Sequence, residues 1–164
     1  RIFCPGRELP FAGHPTLGTC HAWMQTGGQP QVAGRVVQEC GVGLVTLRRD
    51  GERLAFAAPP LIQSGPLAEE DVALIARGLG IARSDVVAHA WCDNGPRWRG
   101  VLLRSAAQVL ALQPDGAVLA GLDVGVVGAT DAATGDEAIA FEVRAFLPGH
   151  SGLMEDPLTT PRHE

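Results

Sequence analysis

The stretch from Pro59 to Pro66 constrains this chain most, because Pro59-Pro60 and Ser64-Gly65-Pro66 mark a shift in composition between two runs of helix and strand pattern. Proline fixes φ and lacks an N–H, so neither a helix interior nor a central strand runs through such a segment. It divides the chain into a first module over 1–62 and a second over 66–164. The full 164 residues suffice for one ordinary domain or for two small ones that share a core.

Both modules carry a helix and several strands. In the first, residues 1–4 read as a strand, Pro5 to Gly13 as a loop, and about Pro15 to Gln25 as a helix stopped by Gly27-Gly28. Pro15 suits the first helical turn, where its missing N–H costs nothing. Leu17, Cys20, His21 and Met24 follow the i, i+3, i+4, i+7 spacing of one buried stripe, which makes His21 a packed core histidine. Val32–Glu39, Val42–Arg49 and Glu52–Ala58 read as an antiparallel meander, the last two joined at Asp50-Gly51. The middle run has apolar groups on both faces, so burial on both is expected, with the sheet wrapped about the helix.

The second module opens with Glu69-Glu70-Asp71, acidic residues that suit a helix start, and a stripe of Val72, Ile75, Ala76 and Leu79. Strands are expected at Val87–Cys92 and Trp98–Arg104 around Asn94-Gly95-Pro96, with Trp91 and Trp98 as cross-strand core partners. Asp93 is assigned to that turn. Ser105 caps a short helix through Leu112 and Asp115 another through Leu122, before strands at Val124–Gly128 and Ala138–Phe146. Helices and mostly antiparallel strands mixed in this order indicate an α+β fold of two similar modules.

Composition removes several function classes. Hydrophobic residues make up 46% and charged residues 19%, the balance of a globular protein. No apolar run approaches the roughly 20 residues of a membrane span, so no membrane partner is expected. A net charge of -5 without a basic cluster argues against nucleic acid. All 13 basic residues are arginine, so no lysine in this sequence can form a Schiff base. Cys4, Cys20, Cys40 and Cys92 lack metal-site spacing and read as small buried hydrophobes in a reducing, cytoplasmic compartment. No metal site is expected. Arg1, and not Met, comes first, and residues 1–4 read as a strand and not as a signal peptide. The expectation is therefore a chain that begins inside a longer protein.

Chemistry is concentrated at Pro10-Phe11-Ala12-Gly13-His14-Pro15-Thr16-Leu17-Gly18, where a loop delivers a histidine to a helix start. Open N–H groups and the helix dipole attract an anion there, and Gly13 admits a carboxylate close to the backbone. Histidine in that place can donate a hydrogen bond or move a proton. On spacing alone, His14 reads equally as a helix cap.

The run Glu8–Gly18, the Asp93–Trp98 turn, Leu103–Ala106, Phe141–Phe146 and Glu155-Asp156-Pro157-Leu158-Thr159 together resemble the phenazine-biosynthesis PhzF-like isomerases and epimerases. The resemblance implies a diaminopimelate-epimerase-like fold, with a curved, mostly antiparallel sheet around a central helix in each module. It also implies a cofactor-independent proton shift on a small carboxylate-bearing substrate, and a homodimer. His14 and Asp156 are then the catalytic residues facing each other between the modules, with Gly13, Pro15, Thr16 and Thr159 binding substrate. The family's acid/base glutamate falls before Arg1, and Thr160-Pro161 stands where the family has Gly-Ser and a long helix. The resemblance thus implies impaired catalysis and a weaker second module. The alternative is a non-catalytic relic or small-anion binding module.

Overall fold

The computed structural model describes residues 1–4, 7–130 and 140–156. They fall into two compact units, Arg1–Ile62 with Asn94–Pro96, and Gln63–Asp93 with Arg97–Glu164. Each mixes helix and sheet, so the protein is α+β.

In the first unit, β1 (Ile2–Cys4) pairs antiparallel with β2 (Arg7–Leu9), a strand inside the segment expected to be loop. Helix α1 (Gly13–Gln25) begins two residues earlier than the sequence suggests. The meander β3 (Arg35–Cys40), β4 (Gly43–Asp50) and β5 (Arg53–Phe56) is antiparallel throughout. At the Asp50 to Arg53 turn, Gly51 takes φ 59°, a left-handed conformation that a side chain would strain. Only one face of the sheet is buried: Val45 and Leu47 are covered, while Leu44 is 73% exposed. On α1 the covered face is Thr16 and Cys20, and His21 is exposed, which corrects its assignment to the core. Apolar residues occur all round this helix, so spacing alone could not pick the face. Phe11 sits edge-on to Phe56 at 5.5 Å and ties the start of α1 to β5.

The second unit contains the larger core. Helix α2 (Glu69–Leu79) buries Val72, Ile75, Ala76 and Leu79, as its periodicity predicts. It ends where Gly80 turns left-handed and the Ile81 N–H bonds the Ala76 carbonyl. Strands β6 (Val86–Cys92) and β7 (Trp98–Leu103) form a hairpin. Its register sets Trp91 against Arg99 and Trp98 against Cys92, so the tryptophans are not partners; the Arg99 guanidinium covers the Trp91 ring at 4.4 Å. Cys92 is exposed, unlike the buried thiol expected there. Helix α3 (Ala106–Leu110) starts at Ser105, whose hydroxyl accepts the Gln108 N–H. Asp115 likewise accepts the Ala117 and Val118 N–H groups, but the chain beyond it makes a series of turns and not the expected helix.

Strand β8 (Val124–Ala129) then runs parallel to β7, with α3 as the crossover, and pairs antiparallel with β9 (Phe141–Gly149). A further strand, β10 (Gly152–Glu155), has no counterpart in the sequence reading. Leu67, Val86, Val101, Leu103, Val109, Leu119, Val124, Val126 and Phe146 join the α2 stripe in one contiguous cluster. The first unit buries far fewer apolar side chains, so the expectation of a weaker second module runs against the packing. Among the described residues, no helix is long and apolar enough to cross a membrane.

Candidate functional site

Three close approaches fix the loop that leads into α1. A Cβ on Gly41 would lie 2.7 Å from the Pro10 Cα, and the adjacent Val42 N–H donates to the Pro10 carbonyl at 3.2 Å. A Cβ on Gly95 would lie 3.1 Å from the Phe11 carbonyl oxygen, and Gly95 has φ 147°. Phe11 itself is buried at 2% exposure. The chain thus leaves this clamp at Ala12 with little freedom.

Ala12 caps α1 in extended conformation and offers no side-chain hydrogen bond. The Thr16 N–H and hydroxyl both donate to the Ala12 carbonyl, at 3.3 and 2.8 Å, and Thr16 is buried. Thr16 therefore closes the turn. Pro15 has no N–H, so the donors of the first turn are the backbone groups of Gly13 and His14. Gly13 has the Phe56 ring 3.2 Å from where its Cβ would be, while the His14 side chain is exposed. Gly13, His14, Pro15 and Thr16 are brought together in one turn.

Asp156 lies in the second unit, directly after β10, with its N–H on the Ala145 carbonyl at 2.8 Å. It is half-buried and continues a strand end; the expected helix start, Pro157 onward, and Thr159 lie outside the described residues. This strand end is held by an arrangement that sequence reasoning missed. Arg144 donates from Nε and Nη2 to the two Glu155 carboxylate oxygens, both at 2.8 Å, and from Nη1 to the carbonyls of Leu112 at 3.0 Å and Val109 at 3.3 Å. The Glu155 hydrogen bonds push the Arg144 guanidinium further up, against the opposing effect of burial. The only sequence signal was one arginine and one glutamate on strands whose pairing was not foreseen.

Other candidates have structural duties. Asp93 accepts the Arg97 N–H at 3.0 Å and so shapes its turn. His89 Nδ1 accepts the Leu67 N–H at 3.1 Å, which puts the ring proton on Nε2. Burial pushes the Cys20 thiol up, away from a reactive thiolate. Among the described residues, no group of three or more His, Cys, Asp or Glu side chains could hold a metal ion.

The model of the phenazine biosynthesis-like protein family matches residues 1–161. The chain belongs to that family. Antisense-enhancing sequence 1 of Schizosaccharomyces pombe is 36% identical over 70% of this chain and 41% of its own length. The trans-2,3-dihydro-3-hydroxyanthranilate isomerase of Pseudomonas chlororaphis is 32% identical over 97% of this chain and 54% of its own. The chain spans about half the length, or less, of these relatives. The fold agrees: the crystal structure of a PhzF family protein from Bacillus anthracis aligns with TM-score 0.67 and 20% identity, over 96% of this chain and 56% of that one.

Proposed function

We propose that the protein is an isomerase that shifts a proton on a small carboxylate-bearing metabolite in the cytoplasm, without metal or organic cofactor. The observation that supports it best is the uncapped start of α1, with an exposed His14, inside a chain of this family. The substrate carboxylate binds the Gly13 and His14 N–H groups at the positive end of the helix dipole. Gly13 lacks a Cβ where the Phe56 ring packs, and Pro15 and the Thr16 bonds hold the donors in place. The His14 imidazole and the Asp156 carboxyl move the proton, and Thr159 adds a substrate contact. The relatives named as isomerases of trans-2,3-dihydro-3-hydroxyanthranilate supply the first substrate to try.

A second reading, anion binding without turnover, is favoured by the same helix start, which needs no further group to hold a carboxylate. NMR in deuterated water separates them. Deuterium entering the substrate, and lost in His14→Ala and Asp156→Asn, is the expected result for an isomerase. Shifts of the Gly13 and His14 amides without exchange leave the binding reading. Shifts confined to other segments overturn both.

A further inference from the structure

Two carboxylates, Glu155 and Asp156, stand side by side where β10 ends. Successive side chains of a strand point to opposite faces, so the two cannot share one. On one face Leu153 packs against the core cluster and Glu155 meets Arg144; Met154 and Asp156 take the other. The Asp156 N–H on the Ala145 carbonyl carries the ladder one residue past the Glu155–Phe146 pair.

The turn sets the register only at the near end of this hairpin, where His150-Ser151 connects Gly149 to its partner Gly152 at φ 133°. A slip or bulge of one residue at the far end would exchange the two carboxylates between faces. They carry the same charge and differ by a single methylene. Arg144 tells them apart. Its side chain is 14% exposed, and Nη1 is held by the Val109 carbonyl of α3 and the Leu112 carbonyl just past it, which gives the Nε–Nη2 edge a fixed place. Both oxygens of Glu155 reach that edge at 2.8 Å. An aspartate carboxylate would fall short by one carbon–carbon bond, about 1.5 Å.

We propose that Arg144 is a positioning residue: by taking Glu155 at its fork, it fixes the face on which Asp156 is presented. The placement stands on this geometry, and its consequence for turnover rests on the isomerase reading of Asp156.

Amide exchange and cross-strand nuclear Overhauser effects in the whole chain test the placement, and deuterium entry into trans-2,3-dihydro-3-hydroxyanthranilate reads turnover. Glu155→Gln keeps the side-chain length and leaves Arg144 on the Val109 and Leu112 carbonyls, but sets an amide N–H against a donor of the fork. The Asp156 amide should then exchange roughly tenfold faster, and the contact between position 155 and Phe146 should weaken, while the pairing of Met154 with Leu147 is kept. Arg144→Lys loses the fork and should do the same, with the double variant no worse than either single change, because the two side chains act as one unit. A misdirected proton-moving group costs the transition state and not substrate binding, so kcat should fall at least roughly tenfold with KM within about twofold. Unchanged protection of Asp156 in both variants overturns the placement. So does protection lost along the whole of β9 and β10, the mark of a pair that only holds the fold, or a released Asp156 with kcat unchanged. A parent chain that exchanges no deuterium sinks the isomerase reading instead, and the amide measurement then decides the placement by itself.

Discussion

At the scale of single residues, glycines decide how closely the second unit's elements approach. A Cβ on Gly128 of β8 would stand 2.3 Å from the Ser105 carbonyl oxygen and 2.9 Å from the Val109 side chain, where α3 crosses the strand. Backbone cannot step aside without moving the helix start. On Gly78 of α2 the Cβ would meet Leu119, at 2.5 Å from Cδ2, a side chain that can adjust in part. Overpacking of this kind costs roughly 1 to 3 kcal/mol. Gly128→Ala should lie at the upper end and Gly78→Ala below it, as read from denaturant midpoints. Equal costs would show that the Ser105 backbone yields as readily as a leucine. At the candidate site, by contrast, Thr16 is informative because its hydroxyl is already committed to Ala12, which leaves binding to the backbone of its neighbours.

Among elements, α1 and α2 differ in how they are anchored. The acidic first turn of α2 includes Glu69, whose two carboxylate oxygens accept from Arg83 Nε and Nη2 at 2.6 and 2.9 Å. Those hydrogen bonds hold the Glu69 carboxyl below the usual carboxylate range. A carboxyl depressed in the folded state stabilises above its unfolded value, near 4.3, and that contribution disappears as pH falls through the folded value. The pair is solvent-exposed, so the effect is small and screened by salt. Urea unfolding from pH 6 downward should show it as part of a slope that Arg83→Gln makes shallower. An unchanged slope would mean that the bonds do not persist in solution. Helix α1 has no acid in its first turn and no side-chain cap, which leaves its start open to an anion.

For the whole molecule, the distribution of core residues sets where the chain opens first. The cluster around α2, β7, β8 and β9 belongs to the second unit, and the first unit relies on Phe11, Cys20, Val45 and Leu47. Fully burying each aliphatic or aromatic side chain is worth roughly 1.5 to 3 kcal/mol. Hydrogen exchange should therefore be slowest in the amides of α2, β7 and β8 and faster in α1 and β3 to β5. Slower exchange in the meander than around α2 would contradict this.

Sequence alone determined what depends on near neighbours. The stripe of α2, the Ser105 cap, the turns at Asp50-Gly51 and Asn94-Gly95-Pro96, and the loop that carries His14 into a helix all rest on contacts a few residues apart. Membership of the family was likewise legible in the motif from Glu8 to Gly18, and the α+β class in the order of elements. Tertiary structure decided what depends on distant partners. The pairing of β2 with β1, the parallel neighbours β7 and β8, and strand β10 have no local signature, because a short strand is stable only against its partner. The face α1 buries was undecidable from a helix apolar on several sides, and His21 went outward. At the site, spacing located His14, but only the fold showed that Thr16 spends its donors on Ala12 and that Arg144, through Glu155, fixes the strand end before Asp156. A half-buried ion pair between strands is written in the sequence as two separate residues, and only folding brings them to 2.8 Å.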